Sequence, residues 1–142
     1  MGSFKSVDNI YSDIKNILEN ARKSIVRSVN STMVAAYWNI GKIIVEEEQK
    51  GRNRANYGEF LLSGISQRLT RDFGRGFDES NLRYFRLFYM RFSNCDALRH
   101  DLSWTHYRLL LKLESEISRN FYINETANNN WSTRELESGT VR

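Results

Sequence analysis

Apolar residues recur every three or four positions through the first fifty residues, at Phe4, Val7, Ile10, Tyr11, Ile14, Ile17, Leu18, Ala21, Ile25, Val29, Met33, Ala36, Tyr37, Ile40 and Ile44. That is the spacing of one face of an α-helix. The one weak point is Asn30-Ser31-Thr32, whose side chains compete with the backbone for hydrogen bonds. The pattern therefore predicts either one very long helix or two helices meeting near Asn30. A small domain rarely carries so long a helix without a partner, so this segment is expected to pack on another chain or to fold back.

The stretch "KGRNRANYG" from Lys50 to Gly58 reads as a junction. A second amphipathic helix follows, with Phe60, Leu61, Ile65, Leu69 and Phe73 on its apolar side, and "GRGF" from Gly74 to Phe77 breaks it. Asp78 suits the N-cap of a third helix, because its carboxylate can accept a free backbone N–H. In that helix Leu82, Phe85, Tyr89 and Phe92 form the packed face, with Tyr84 and Phe88 also assigned to the core. Glu79, Arg83, Arg86 and Met90 form a stripe on another side. Beyond a loop, Ser103 caps "WTHYRLLLKLESE" and "EISRNFYINETANN" makes a further helix. Ser132 caps the last one, with Glu135 at the capping-box position. That helix is expected to stop at Gly139, which reads as a chain cut short.

No segment alternates as a strand does, and there is no proline. The fold class is therefore all-α. Residues 1–50 form a long N-terminal helical segment suited to dimerisation, 51–138 a helix-turn-helix-like helical domain, and 139–142 a truncated tail.

Charge sharpens the middle of this picture. Arg52, Arg54, Arg68, Arg71, Arg75, Arg83, Arg86 and Arg91 stand against only Glu59, Asp72, Asp78 and Glu79 in the same window, which accounts for the net charge of +4. Arginine's planar fork suits phosphates and base edges. A helix, a short glycine-bearing turn and a second helix give helix-turn-helix spacing, in which the second helix enters the major groove by its first turns. On that basis Ser80, Asn81, Arg83 and Arg86 are placed near bases, and Arg71, Arg75 and Arg134 on phosphates. The competing structural reading pairs Arg83 and Arg86 with Glu79 on the same helix.

Other chemistry is thin. Cys95 is the single cysteine, so an internal disulfide is ruled out and a reducing, cytoplasmic setting is expected. One cysteine with His100 and His106 offers no zinc-ligand spacing. His106, beside Trp104 and Tyr107, reads as a hydrogen-bonded packing histidine. Glu48-x-Lys50 has the E-x-K form of a nuclease motif but sits at a helix end. Phosphate-loop and hydrolase motifs are missing. Met1-Gly2-Ser3 reads as a cloning remnant rather than a lipidation site. No catalytic residue, metal, cofactor, membrane span or small-molecule substrate is expected.

Several motifs together resemble a bacterial family. Tyr37-Trp38-x-Ile40-Gly41, Gly76-Phe77 followed by Asn81-Leu82, Trp104-x-His106 and Trp131-Ser132-x-Arg134-Glu135-Leu136 follow, in order and spacing, the N-terminal domain of YhcG-like proteins. The resemblance covers about residues 10 to 138. Members of that family join this domain to a C-terminal nuclease domain of the PDDEXK type. The resemblance implies a non-catalytic helical module that binds duplex or branched DNA, or else a partner protein, and serves a nuclease domain outside this sequence. It departs from the family where Gly74 and Ser103 replace prolines. A homodimer through the N-terminal helices is compatible with either role.

Overall fold

The structure is a computed structural model that describes residues 6–51, 56–94 and 97–140. Phe4, Gly2, Arg52, Arg54 and Cys95 lie outside the described residues. Among those described there are six helices and no strand: α1 (Val7–Lys50), α2 (Tyr57–Phe73), α3 (Glu79–Arg91), α4 (Trp104–Leu110), α5 (Glu116–Asn129) and α6 (Thr133–Thr140). The all-α expectation holds.

Of the two possibilities for the N-terminal segment, the single helix is the one observed. α1 runs unbroken for 44 residues, about 66 Å at the usual rise. Ser6 caps its start by accepting the Asn9 backbone N–H at 3.2 Å. The Asn30-Ser31-Thr32 step stays helical, and the Ser31 hydroxyl bonds His100 Nδ1 at 2.6 Å instead of its own backbone. The helix does not fold back. Every residue from Ser6 to Val29 is exposed, and burial begins only at Val34. α1 is thus a free arm continued by an embedded half.

The embedded half lies against α3. Val34 and Trp38 join Phe88, Leu98, Leu102, Tyr107, Leu110, Leu111 and Leu136 in one apolar cluster. Ile44 joins Leu62, Leu82 and Phe85 in another. Trp104 touches both clusters, with its ring 5.2 Å from Phe85 and 5.3 Å from Phe88. Tyr37 stacks on Phe85 at 4.5 Å. A division at residue 50 marks the end of α1 but not a break in packing, since both halves of the sequence supply the same core.

Helix ends are fixed by the side chains that local sequence suggests. Asp78 accepts the Asn81 N–H at 2.8 Å. Ser132 and Glu135 form a reciprocal capping box at 3.2 and 3.3 Å. Ser103 caps α4, with His106 in the position usually held by Glu or Gln. The other ring nitrogen of His106 reaches the Trp131 carbonyl at 2.9 Å, so this histidine ties α4 to the start of α6. Its assignment as a packing residue holds.

Two expectations are corrected. Phe60 and Phe73 are exposed, and Leu62 is the buried residue of α2. α2 turns only the Leu62, Ile65 and Leu69 edge toward the core, so an apolar periodicity that includes its terminal rings overstates the buried face. Gly139 does not end the last helix, which runs through it to Thr140. Nothing crowds it but the rings of Trp131 and Tyr122, at 3.7 Å and beyond.

Candidate nucleic-acid interface

α2, the turn and α3 are the elements that the sequence reads as a helix-turn-helix-like unit. Gly74 and Gly76 have φ of 83° and 103°, values that favour glycine because a Cβ is strained there. The side-chain amide of Asn81 donates to the Gly76 carbonyl at 3.1 Å, while its backbone N–H goes to Asp78. Asn81 therefore braces the turn.

Arg83 and Arg86 are also engaged within the chain. Arg83 Nη2 lies 2.8 Å from Glu59 Oε2 on α2. Arg86 Nη1 donates to both Glu48 oxygens at 3.0 Å, and both side chains are about three-quarters buried. The partners come from α2 and α1, not from Glu79 one turn away. In this arrangement the two guanidinium groups bridge α3 to its neighbours, Arg83 through an exposed ion pair and Arg86 through a more buried one. The groove beside the start of α3 is lined by Ser63, Ser66, Gln67, Asp78, Glu79, Ser80 and Arg83. With Glu59 on Arg83, three carboxylates surround one paired guanidinium. A phosphate or base edge would meet net negative charge there. Ser80 is exposed at this rim.

Arg91 is likewise structural. Its guanidinium donates to the Leu111 and Leu113 carbonyls. Arg119, nearly buried, donates to Leu113 and Glu114 carbonyls at 2.7 and 2.9 Å. Together they neutralise the free carbonyls after α4, where cations are favoured. Burial first, and the Arg91 charge second, hold the Arg119 pKa below its ordinary value.

What remains outward is a smaller set. Arg68, Arg71 and Arg75 are exposed along the end of α2 and in the turn. Among the described residues Arg71 pairs with its neighbour Asp72, at 3.4 Å. Arg134 is exposed on α6, which packs chiefly on α4 and α5, so no contact groups it with Arg71 and Arg75. Glu48, half of the Glu48-x-Lys50 sequence, is the carboxylate held by Arg86. Glu48 and Glu59 are residues that sequence reasoning missed, since they lie 38 and 24 positions from their partners.

The other exposed feature is apolar. Val7, Tyr11, Ile14, Leu18 and Ile25 on the α1 arm are between 51% and 81% exposed, and they lie along one side of the helix. No helix among the described residues is long and apolar enough to cross a membrane, so the stripe is not a span.

Comparison with known proteins fits these observations. The family described as "DUF1016 N-terminal domain" matches residues 13–140. The chain is 41% identical over 95 residues to the Escherichia coli (strain K12) protein named "Putative nuclease YhcG". That match takes in 67% of the chain and 25% of the relative, so the chain spans about a quarter of that relative's length. No solved structure matches the chain.

Proposed function

We propose that this chain, which belongs to the DUF1016 N-terminal domain family, is a non-catalytic pairing module that joins two copies of a nuclease-type protein through the α1 arm. One observation carries this: the apolar stripe of the arm stands in water along its whole length, where an unpaired helix is only marginally stable. Packing on a second helix removes that surface from water, at roughly 25 cal/mol per Å². Light scattering should find a dimer that dissociates on dilution. Ile14→Asp with Leu18→Asp should give a monomer whose core still melts cooperatively. A wild-type chain that is monomeric at every concentration would overturn the proposal.

A second reading, DNA binding by the helix-turn-helix-like unit, is supported by Arg68, Arg71 and Arg75 and by the name of the YhcG relative. It is narrower than the sequence suggests, because the phosphate contacts would come from the end of α2 and the turn, with Arg134 separate from them. Arg71→Ala with Arg75→Ala should weaken duplex or branched DNA binding and flatten its salt dependence by about 1.8 log units per log unit of salt. Arg86→Ala should behave differently. It leaves Glu48, about three-quarters buried, without its arginine, so it should cost about 1–3 kcal/mol of stability and leave the salt slope unchanged. Unchanged affinity in the Arg71/Arg75 variant, read by fluorescence anisotropy, would remove this second role.

A further inference from the structure

The arm has an internal order that the pairing proposal does not use. Val7, Tyr11, Ile14, Leu18, Ala21 and Ile25 follow one another by steps of four, three, four, three and four. That is the four-three spacing of a coiled-coil seam, which Ile10 and Ile17, also exposed, widen along one flank. Charge is divided along the same stretch. From Val7 to Glu19 there are three acids, Asp8, Asp13 and Glu19, against Lys15; from Asn20 to Met33 there are Arg22, Lys23 and Arg27 and no acid. One half is therefore −2 and the other +3.

We infer that the α1 arm pairs antiparallel with the α1 arm of a second copy, its acidic half lying on the other's basic half. The occupant follows from the charge. A parallel pair would set the Arg22, Lys23 and Arg27 cluster of each copy against the same cluster of the other. The antiparallel pair instead lays the acidic start of each arm on the basic stretch of the other; over residues 7–25, centred on Asn16, that sets −1 (Asp8, Asp13, Lys15) against +1 (Glu19, Arg22, Lys23), twice.

The register follows as well. Asp8, Lys15 and Arg22 occupy the same flank of the seam, seven residues apart. In an antiparallel pair like flanks face each other, so Asp8 can meet Arg22 of the second copy. That alignment seats Ile14 on Leu18, Tyr11 on Ala21 and Val7 on Ile25 of the second copy, and it uses every seam position. Lys15 falls near the two-fold axis, where its charge is answered by its own Glu19 at 3.9 Å. Sliding the pair by one heptad toward the C-termini would set Lys15 against Arg22. Sliding it the other way would leave Ile25 uncovered and set Ala21 opposite position 4, before the start of α1.

The consequence for the assembly is spatial. The two-fold axis falls near Asn16, and the first buried residue, Val34, is 18 positions beyond it. At the usual helical rise the two bodies are held about 54 Å apart along the arm axis, measured between their Val34 residues, and they do not touch. The arm is a spacer as well as a clasp.

This inference rests on the pairing proposal, and directed cross-linking separates the two. With Cys95→Ser as background, Tyr11→Cys and Ala21→Cys are made as separate full-length variants. Each is oxidised alone, and then in a mixture. A disulfide needs the two Cα atoms within about 7 Å, so the mixture should give a cross-linked dimer and each variant alone should not. Asp8→Arg should raise the dissociation constant, and Asp8→Arg with Arg22→Asp should restore it. If Ala21→Cys cross-links with itself and the mixture gives no more, the pair is parallel and the antiparallel inference is overturned while pairing stands. If no cross-link forms and light scattering finds a monomer, both are overturned.

Discussion

Gly41→Ala should be among the most damaging single-methyl changes in this chain. A Cβ at Gly41 would sit 2.0 Å from the Phe85 carbonyl oxygen, 2.7 Å from its carbon and 3.2 Å from the Tyr89 Cβ. The first two are backbone atoms of α3, and they cannot swing aside as a side chain can. The embedded half of α1 would have to lift from α3 by more than an ångström, opening the seam that holds Tyr37, Trp38 and Ile44 against Phe85 and Phe88. Overpacking a well-filled core costs typically about 1–3 kcal/mol, and a clash with backbone belongs at or above the upper end. We expect a loss of about 3 kcal/mol, read as a fall of roughly 10 °C in melting temperature. Gly64→Ala is the control. Nothing lies within 4 Å of its Cβ position, and it stands inside α2, so the same change should add about 0.5–1 kcal/mol through helix propensity. Equal losses at both sites would mean that α1 and α3 are not in close contact.

That contrast marks what the amino-acid order makes legible. The two glycines look alike in sequence, each within a helical stretch, and only the approach of a second helix distinguishes them. The same division runs through the whole chain. Caps are local: Asp78, Ser103 and the Ser132–Glu135 box each act within three residues, so the residue types announce them. Periodicity is local too, and it places the helices, the buried face of α3 and the exposed seam of α1. It cannot report which carboxylate an arginine will find. Arg83 and Arg86 read as an outward ridge because Glu59 and Glu48 are on other helices, and only the close packing of α1 and α2 on α3 brings them in. Of the arginine excess, three residues bond partners on other elements, Arg83 and Arg86 to carboxylates and Arg91 to carbonyls. The α2 rings show the converse failure. Phe60 and Phe73 satisfy the helical spacing, but α2 meets the core through Leu62, Ile65 and Leu69 and leaves both rings exposed.

Phe88→Ala should separate the body from the arm. Phe88 is fully buried, and its ring lies 5.0 Å from Tyr107, 5.3 Å from Trp104 and 5.4 Å from Phe92. It thereby joins α3 to α4 at the point where both apolar clusters meet. Removing it takes away a large transfer contribution and leaves a cavity among rings that are themselves held: the Tyr107 hydroxyl accepts the Arg99 N–H at 2.7 Å, and the Trp38 indole donates to the Phe92 carbonyl. Such anchored neighbours cannot collapse into the space, so the cost should lie near the top of the usual range of about 3–5 kcal/mol. Urea unfolding followed by tryptophan fluorescence reads this directly, because Trp38 and Trp104 both border the cluster. Phe73→Ala, at an exposed ring, should cost well under 1 kcal/mol by the same measurement. The arm adds a second observable. Its residues from Ser6 to Val29 are exposed, so on the pairing proposal its stability comes from its partner helix and is set by protein concentration. Amide exchange from Val7 to Val29 in Phe88→Ala should therefore keep its wild-type dependence on concentration under conditions where the body remains folded, while exchange in α3 and α4 accelerates. Arm amides that accelerate in step with the body would mean that the arm is stabilised by the core of its own chain, and the pairing of arms would lose its physical basis.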